Sequence, residues 1–257
     1  MELKSNNGIS IRYHDIFDYK LTKPEAIKWQ YINQKVTVSG IKNKGRLQRE
    51  KYSQAKLLLA TKAAEIISKI PTVKFVGITG ALAMNNASRD SDIDLMIITK
   101  SGFLWTTRLF VYLLICLFGI QTRKPKYNLQ KDMLCLNMWM DEHLLEWNKK
   151  DRNIYTAHEI AQIVPLVNKN NVYEKFLWQN KWILTYWPNA VAVQSTKRLH
   201  HFVGTVQSKK TNFFEIIAFK LQYLYMKPKI TREIVTPTRA IFHPNDWGKV
   251  VIKKLSS

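Results

Sequence analysis

The chain has 257 residues, enough to bury a sizeable core as one large domain or two smaller ones, and 46% hydrophobic with 12% aromatic residues excludes a disordered chain. Its formal charge of +21 is concentrated at the ends: residues 1–56 carry 12 Lys/Arg against 5 acids and residues 195–257 carry 12 against 3, while 57–194 hold 16 against 11. Two cysteines, Cys116 and Cys135, sit in apolar runs with no CxxC or Cys/His ligand spacing, which argues against zinc and disulfide scaffolds and fits a reducing, cytoplasmic setting.

Met1 to Asn7 has no apolar core and does not read as a secretory signal. Thr22 with Glu25 three residues later makes a capping box that opens a helix running to Trp29. The wording Asp15-Ile16-Phe17-Asp18-Tyr19, then Leu21-Thr22, resembles the start of a winged-helix module, and there is room for only a fragment of one before residue 46. Val36 to Ile41 reads as a short strand or wing. Residues 46–70 form a long helix with Leu47, Leu57, Leu58, Ala60, Ala64, Ile67 and Ile70 as its apolar positions, stopped by Pro71.

A β-rich segment, Val73 to Thr79, is followed by a turn at Gly80, a short helix and a second strand over 93–99. Side chains at i and i+2 of a strand share a face, so Asp92 and Asp94 project together, roughly 6–7 Å apart at the backbone. Two carboxylates so placed repel and are costly to bury unless a cation neutralises them, which points to a divalent metal. A glycine turn into a helix offers free amides that suit a phosphate. The plain alternative is a solvated strand end beside an ordinary turn.

Residues 103–120 are apolar, but the uninterrupted part, Leu109 to Ile120, is 12 residues. A membrane-spanning helix needs about 20, so this segment reads as a helix buried against the sheet and no membrane partner is expected. Arg123, Lys124 and Lys126 follow as a basic loop. Met133 to Met140 forms the next strand, flanked by Asp132, Asp141 and Glu142, with Asn137 as its central polar residue. From about residue 151 the chain reads as mainly helical. His158-Glu159 lacks the second His of a metalloprotease motif and reads as a capped helix start, with an imidazole near the site as the alternative. Tyr173, Phe176, Trp178, Trp182, Tyr186 and Trp187 read as helix-packing core, with base stacking as the alternative. Phe213 to Met226 forms another aromatic helix, and Pro237, His243 and Pro244 punctuate a terminal unit ending in Lys253-Lys254.

Gly80, Ala83, Ala87, Ser91, Asp92, Ile93, Asp94 and Leu95 together resemble the signature of the DNA polymerase beta-like nucleotidyltransferase superfamily, with the nearest likeness to its small bacterial and archaeal minimal members. The tight likeness covers about residues 73–99 and a looser one reaches about 147. It implies an α+β fold with a mixed β-sheet core flanked by helices. The expected organisation is a basic N-terminal segment over 1–45, a nucleotidyltransferase domain over 46–150 and a mainly helical region over 151–257.

The resemblance further implies transfer of a nucleoside monophosphate from a nucleoside triphosphate, ATP among them, to an acceptor hydroxyl, with release of pyrophosphate. Asp92 and Asp94 would bind two Mg²⁺ ions. The backbone at Gly80 and Ala81, helped by Ser91, would hold phosphates, and Thr106 and Arg108 would face the nucleotide. Asp141 is preferred as the third acid and base, with Asp132 behind it. Two departures stand out: Ala81 replaces the usual serine, at a typical cost of about 0.5–1.5 kcal/mol for a lost hydrogen bond, and Asn137 stands where an acid is usual. They support the alternative of a weak or inactive member that binds nucleic acid through its basic ends or masks a partner in the manner of an antitoxin.

Overall fold

The computed structural model of the chain describes residues 8–34, 38, 44–123, 130–191, 212–242 and 246–257. Apart from Val38, the strand or wing expected over Val36 to Ile41 lies outside the described residues, as do Lys124, Lys126, His243 and Pro244.

The centre is a mixed sheet built from β1 (Val73–Ile78), β2 (Ile93–Thr99), β3 (Leu134–Asp141), β4 (Val164–Asn168), β5 (Ile234–Thr236) and β6 (Arg239–Ile241). Their spatial order is β4-β1-β2-β3-β6-β5. The β2–β3 pair is parallel and the other neighbours are antiparallel. Strand β2 has neighbours on both edges and helices on both faces. That is why Leu95-Met96-Ile97-Ile98 is a continuous apolar run rather than an alternating one, and all four residues are fully buried.

Alternate residues of these strands feed two cores. On one face, Val76, Ile78, Leu95 and Ile97 pack against Ala60, Ala64 and Ile67 of α3 (Lys44–Ser68) and Trp105, Val111 and Ile115 of α5 (Leu104–Leu117). On the other, Phe75, Met96, Ile98 and Met140 pack with Ile9 and Tyr13 of α1 (Ile9–Asp15), Ile154 and Ala157 of α6 (Ile154–Ala161), Phe176 of α7 (Val172–Gln179) and Val251 of the last helix, α9 (Trp247–Ser256). The remaining helices are α2 (Lys23–Lys28), α4 (Gly80–Ala83) and α8 (Phe213–Met226), the last packed on α5.

The capping box opens α2 as expected: the Thr22 amide and hydroxyl both donate to the Glu25 carboxylate, at 2.8 and 2.6 Å. The region after residue 151 is helical in the main, but it also supplies β4, β5 and β6 to the central sheet. Only one side of α5 is buried; Leu109, Phe110, Leu113 and Leu117 on the other side are exposed. Trp178 and Trp182 do not share a helix, because α7 ends at Gln179 and Trp182 falls in a following 3₁₀ turn, Lys181–Thr185. Among the described residues, no helix is long and apolar enough to cross a membrane.

One polar tether fixes the segment that enters β2. Lys56 of α3, 2% exposed, donates to the Ser91 carbonyl at 2.7 Å and to Asp132 at 2.6 Å. It thereby ties α3 to the loops preceding both β2 and β3. Lys56→Met keeps the aliphatic stem but leaves the Ser91 carbonyl short of its donor; Asp132, 39% exposed, can rehydrate. The expected loss is about 1–3 kcal/mol by urea denaturation, and an unchanged midpoint would show that the tether carries no stability.

Candidate functional site

The site begins at the N-terminal end of β2. Asp92 precedes the strand and Asp94 is its second residue. Because β2 and β3 run parallel with Asp94 opposite Cys135, both side chains leave the sheet on one face. The next pair is Met96 with Met138, so β3 carries one extra residue between these points. Asn137, two residues along β3 from Cys135, leaves on the same face, where its Nδ2 donates to Asp94 Oδ1 at 2.6 Å. Asp92, Asp94 and Cys135 each offer a ligand atom, and these atoms lie within 4.8 Å of one another.

The glycine turn meets this cluster directly. Gly80 has φ +62°, a left-handed conformation, and a Cβ added there would stand 2.6 Å from Asp94 Oδ2. Only hydrogen at that position lets the turn close over the carboxylate. The Thr79 amide donates to the Asp94 carbonyl at 3.0 Å, which fixes the turn to the strand.

A cavity of about 490 Å³ opens over these groups, with Gly80, Ala81, Asp94, Cys135 and Asn137 on its floor. Ser91 also lines it, its hydroxyl donating to the Ser88 carbonyl at 3.1 Å. Arg123, on the same wall, donates to Asp92 Oδ2 at 2.9 Å and approaches the Cys135 sulfur at 3.9 Å. Burial, reinforced by the charge of Asp92, pushes the Asp94 carboxyl up to about 7. Two buried acceptors at the cavity have no partner: Thr79 Oγ1 and Asn137 Oδ1, in residues 3% and 6% exposed. The Asp94 carboxylate, the Cys135 thiol and these two orphaned oxygens belong to residues lining one cavity, with Asp92 beside Asp94 and Cys135, a donor set whose chemistry fits a cation.

The opposite wall comes from α1 and α6. His14 Nδ1 donates to the Ser10 carbonyl at 2.7 Å, which leaves its Nε2 to accept from His158 Nε2 at 3.2 Å. Both rings are held neutral, His14 by burial that lowers it to about 4, His158 by burial and then by His14. They are dipoles and not phosphate-binding cations. Glu159 lines the same wall; burial and then the Asp94 charge raise its carboxyl to about 8. Phe17, Tyr155 and Trp247 add aromatic faces.

Gly80, Ala81, Ser91, Asp92 and Asp94 are therefore brought together, and four expected members are not. Asp141 pairs with Thr99, five residues along β2 from Asp94 and thus roughly 16 Å away. Its carboxylate is taken up by the Gly102 and His143 amides, at 2.7 and 2.8 Å. Asp132 is held by Lys56. Arg108 lies on α5, which packs on the opposite sheet face, and its guanidinium donates to Gln222 of α8 at 2.7 Å. Thr106 likewise donates to Glu215 of α8, at 2.7 Å.

Glu159 was legible only as part of a helix start, and that start in fact falls at Asn153, whose side chain accepts from the Thr156 amide. Tyr13 and His14 carried no signal, since only folding brings α1 to β2. Arg123 was visible as a basic residue without a partner.

Two measurements probe this geometry. Gly80→Ala introduces both a strained φ and a clash with Asp94, and is expected to cost about 1–3 kcal/mol by urea denaturation. The second concerns pH. Glu159 holds its proton more tightly folded than unfolded, about 8 against 4.5. The associated stability is present below pH 4.5 and is lost as pH rises through 8. Without metal, Glu159→Gln should therefore melt above wild type at pH 9 and together with it at pH 4; parallel curves across that range would remove the buried carboxyl from the account. No protein-family model matches the chain, and no curated protein matches it.

Proposed function

We propose that the chain is a metal-dependent nucleotidyltransferase of the polymerase beta-like superfamily, moving a nucleoside monophosphate from a nucleoside triphosphate to an acceptor hydroxyl with release of pyrophosphate. One observation carries the reading: the Gly80 turn is seated on the Asp94 carboxylate so closely that no side chain fits between them. A phosphate-suited turn and the Asp94 carboxylate thus share one cavity, with a ligand atom of Asp92 within 4.8 Å of Asp94's. The helix-flanked mixed sheet, with the Asp pair at the start of its central strand, is consistent with this assignment.

Asp92 and Asp94 would hold Mg²⁺, which when bound neutralises the triphosphate and the charge that builds on the leaving oxygen. The chain's own groups do the rest. The first amides of the turn after Gly80, which lack intrahelical acceptors, hold phosphate oxygens, with the Ser91 hydroxyl beside them. Arg123 neutralises Asp92 until the nucleotide arrives and then becomes available to phosphate. Asn137 orients Asp94 through its 2.6 Å hydrogen bond. With Asp141 and Asp132 engaged elsewhere, Glu159 is the carboxyl on the cavity wall that can take the acceptor proton, and a proton affinity near neutrality suits that role. The acceptor oxygen then bonds to the α-phosphorus and the bridging bond to pyrophosphate breaks. Phe17, Tyr155 and Trp247 offer faces on which a base can stack.

Asn137, an amide where a third acid is usual, favours a second reading: a slow or inactive relative that binds nucleic acid through its basic ends. Incubation with each of the four α-labelled triphosphates, Mg²⁺ and cell extract separates the two. Label transfer is expected from wild type and none from Asp92→Asn or Asp94→Asn, with Glu159→Gln slower by about 10²–10⁴-fold. Equal labelling by wild type and both Asp variants would overturn the site. No labelling at all, with salt-sensitive retention of nucleic acid, would select the second reading.

A further inference from the structure

Cys135 has no part in the transfer chemistry proposed above, yet it occupies the centre of the site. Its sulfur and one oxygen each from Asp92 and Asp94 lie within 4.8 Å of one another. The position is set by the sheet, since Cys135 stands opposite Asp94 in the parallel β2–β3 ladder. Thr79 Oγ1 and Asn137 Oδ1, both buried and without a partner, belong to residues lining the same cavity. Mg²⁺ is satisfied by oxygen donors in near-octahedral geometry and gains nothing from sulfur. Softer divalent ions prefer thiolate and accept mixed oxygen–sulfur sets.

We propose that Asp92, Asp94 and Cys135 form a binding site for a thiophilic divalent ion of the Zn²⁺, Co²⁺ or Cd²⁺ class, with the Cys135 sulfur as a direct ligand. The proposal rests on the reading of Asp92 and Asp94 as a cation site and adds the sulfur to it. On coordination the S–H bond breaks, a metal–sulfur bond forms and the proton passes to solvent; no electrons are exchanged. Arg123, whose guanidinium touches both Asp92 and the sulfur, gives up both contacts as the ion enters. Its side chain is 39% exposed and can turn outward. A soft ion held this way competes with Mg²⁺ for the same carboxylates.

The test is a titration of the full chain, freed of metal by chelation, with Co²⁺. A sulfur-to-cobalt charge-transfer band in the near ultraviolet is expected to saturate at one equivalent, with release of a proton. Cys135→Ser should lose the band and bind Co²⁺ more weakly by calorimetry, by more than about tenfold. Cys116→Ser, which changes an exposed thiol, should keep the band, and Asp94→Asn should lose both band and binding. Co²⁺ bound equally by wild type and Cys135→Ser without a band overturns the sulfur ligand, as does a band removed by Cys116→Ser instead. Mg²⁺-dependent label transfer measured alongside keeps the two readings apart. Transfer without the band sinks only the sulfur ligand, and the band without transfer sinks the transferase and leaves the metal site standing.

Discussion

Two carboxylates leaving one face of a buried strand cannot both be charged without help, and much of the structure around Asp92 and Asp94 is that help. The Arg123 guanidinium meets Asp92, and the Asn137 amide meets Asp94. Even so, burial and the neighbouring charge lift Asp94 to about 7, so its carboxyl is partly protonated at neutral pH. A half-buried like-charge pair costs free energy that a structural sheet would avoid by carrying apolar residues there. The surrounding strand does carry them, without a break from Leu95 to Ile98.

Three local departures from regular structure converge on that pair. The left-handed Gly80 lets the turn close over Asp94, the extra residue in β3 falls between Cys135 and Met138, where Asn137 donates to Asp94, and Lys56 anchors the carbonyl of Ser91 just ahead of Asp92. Each is held by regular elements on either side: α3 behind the lysine, β1 before the glycine, β2 beside the bulge. The irregular backbone is thus confined to the end of the sheet, while the fully buried middle of β2 supplies rigidity.

The core of this arrangement could be read from the sequence because it is local. Helix α3, strands β1 and β2, the glycine turn and the Asp pair lie within some fifty consecutive residues, and their periodicities and spacings are direct records of the fold. The cavity wall could not be read so, because it is assembled from distant segments. Asp141 looked suitable as an acid at the end of a strand, yet β3 runs parallel to β2, and parallel pairing carries its C-terminal end away from Asp94. Nothing in single-sequence patterning fixes that direction. The bulge in β3 leaves no compositional trace, and the proximity of α6 depends on a chain reversal that local propensity does not encode. Arg108 failed for a simpler reason: a helix beside a sheet can pack on either face, and its apolar stripe does not say which.

The walls of the cavity come from opposite ends of the chain, with Tyr13 and Phe17 from the first helical segment, Tyr155 and Glu159 from α6, and Trp247 from α9. During synthesis the Asp pair emerges after Tyr13 and Phe17 but before Tyr155, Glu159 and Trp247. The acidic end of β2 must then wait, open to water and to free cations, until more than one hundred and fifty further residues have left the ribosome. The pocket is a late product of folding, and a nascent chain carries its most costly electrostatic feature in the solvent that can best support it.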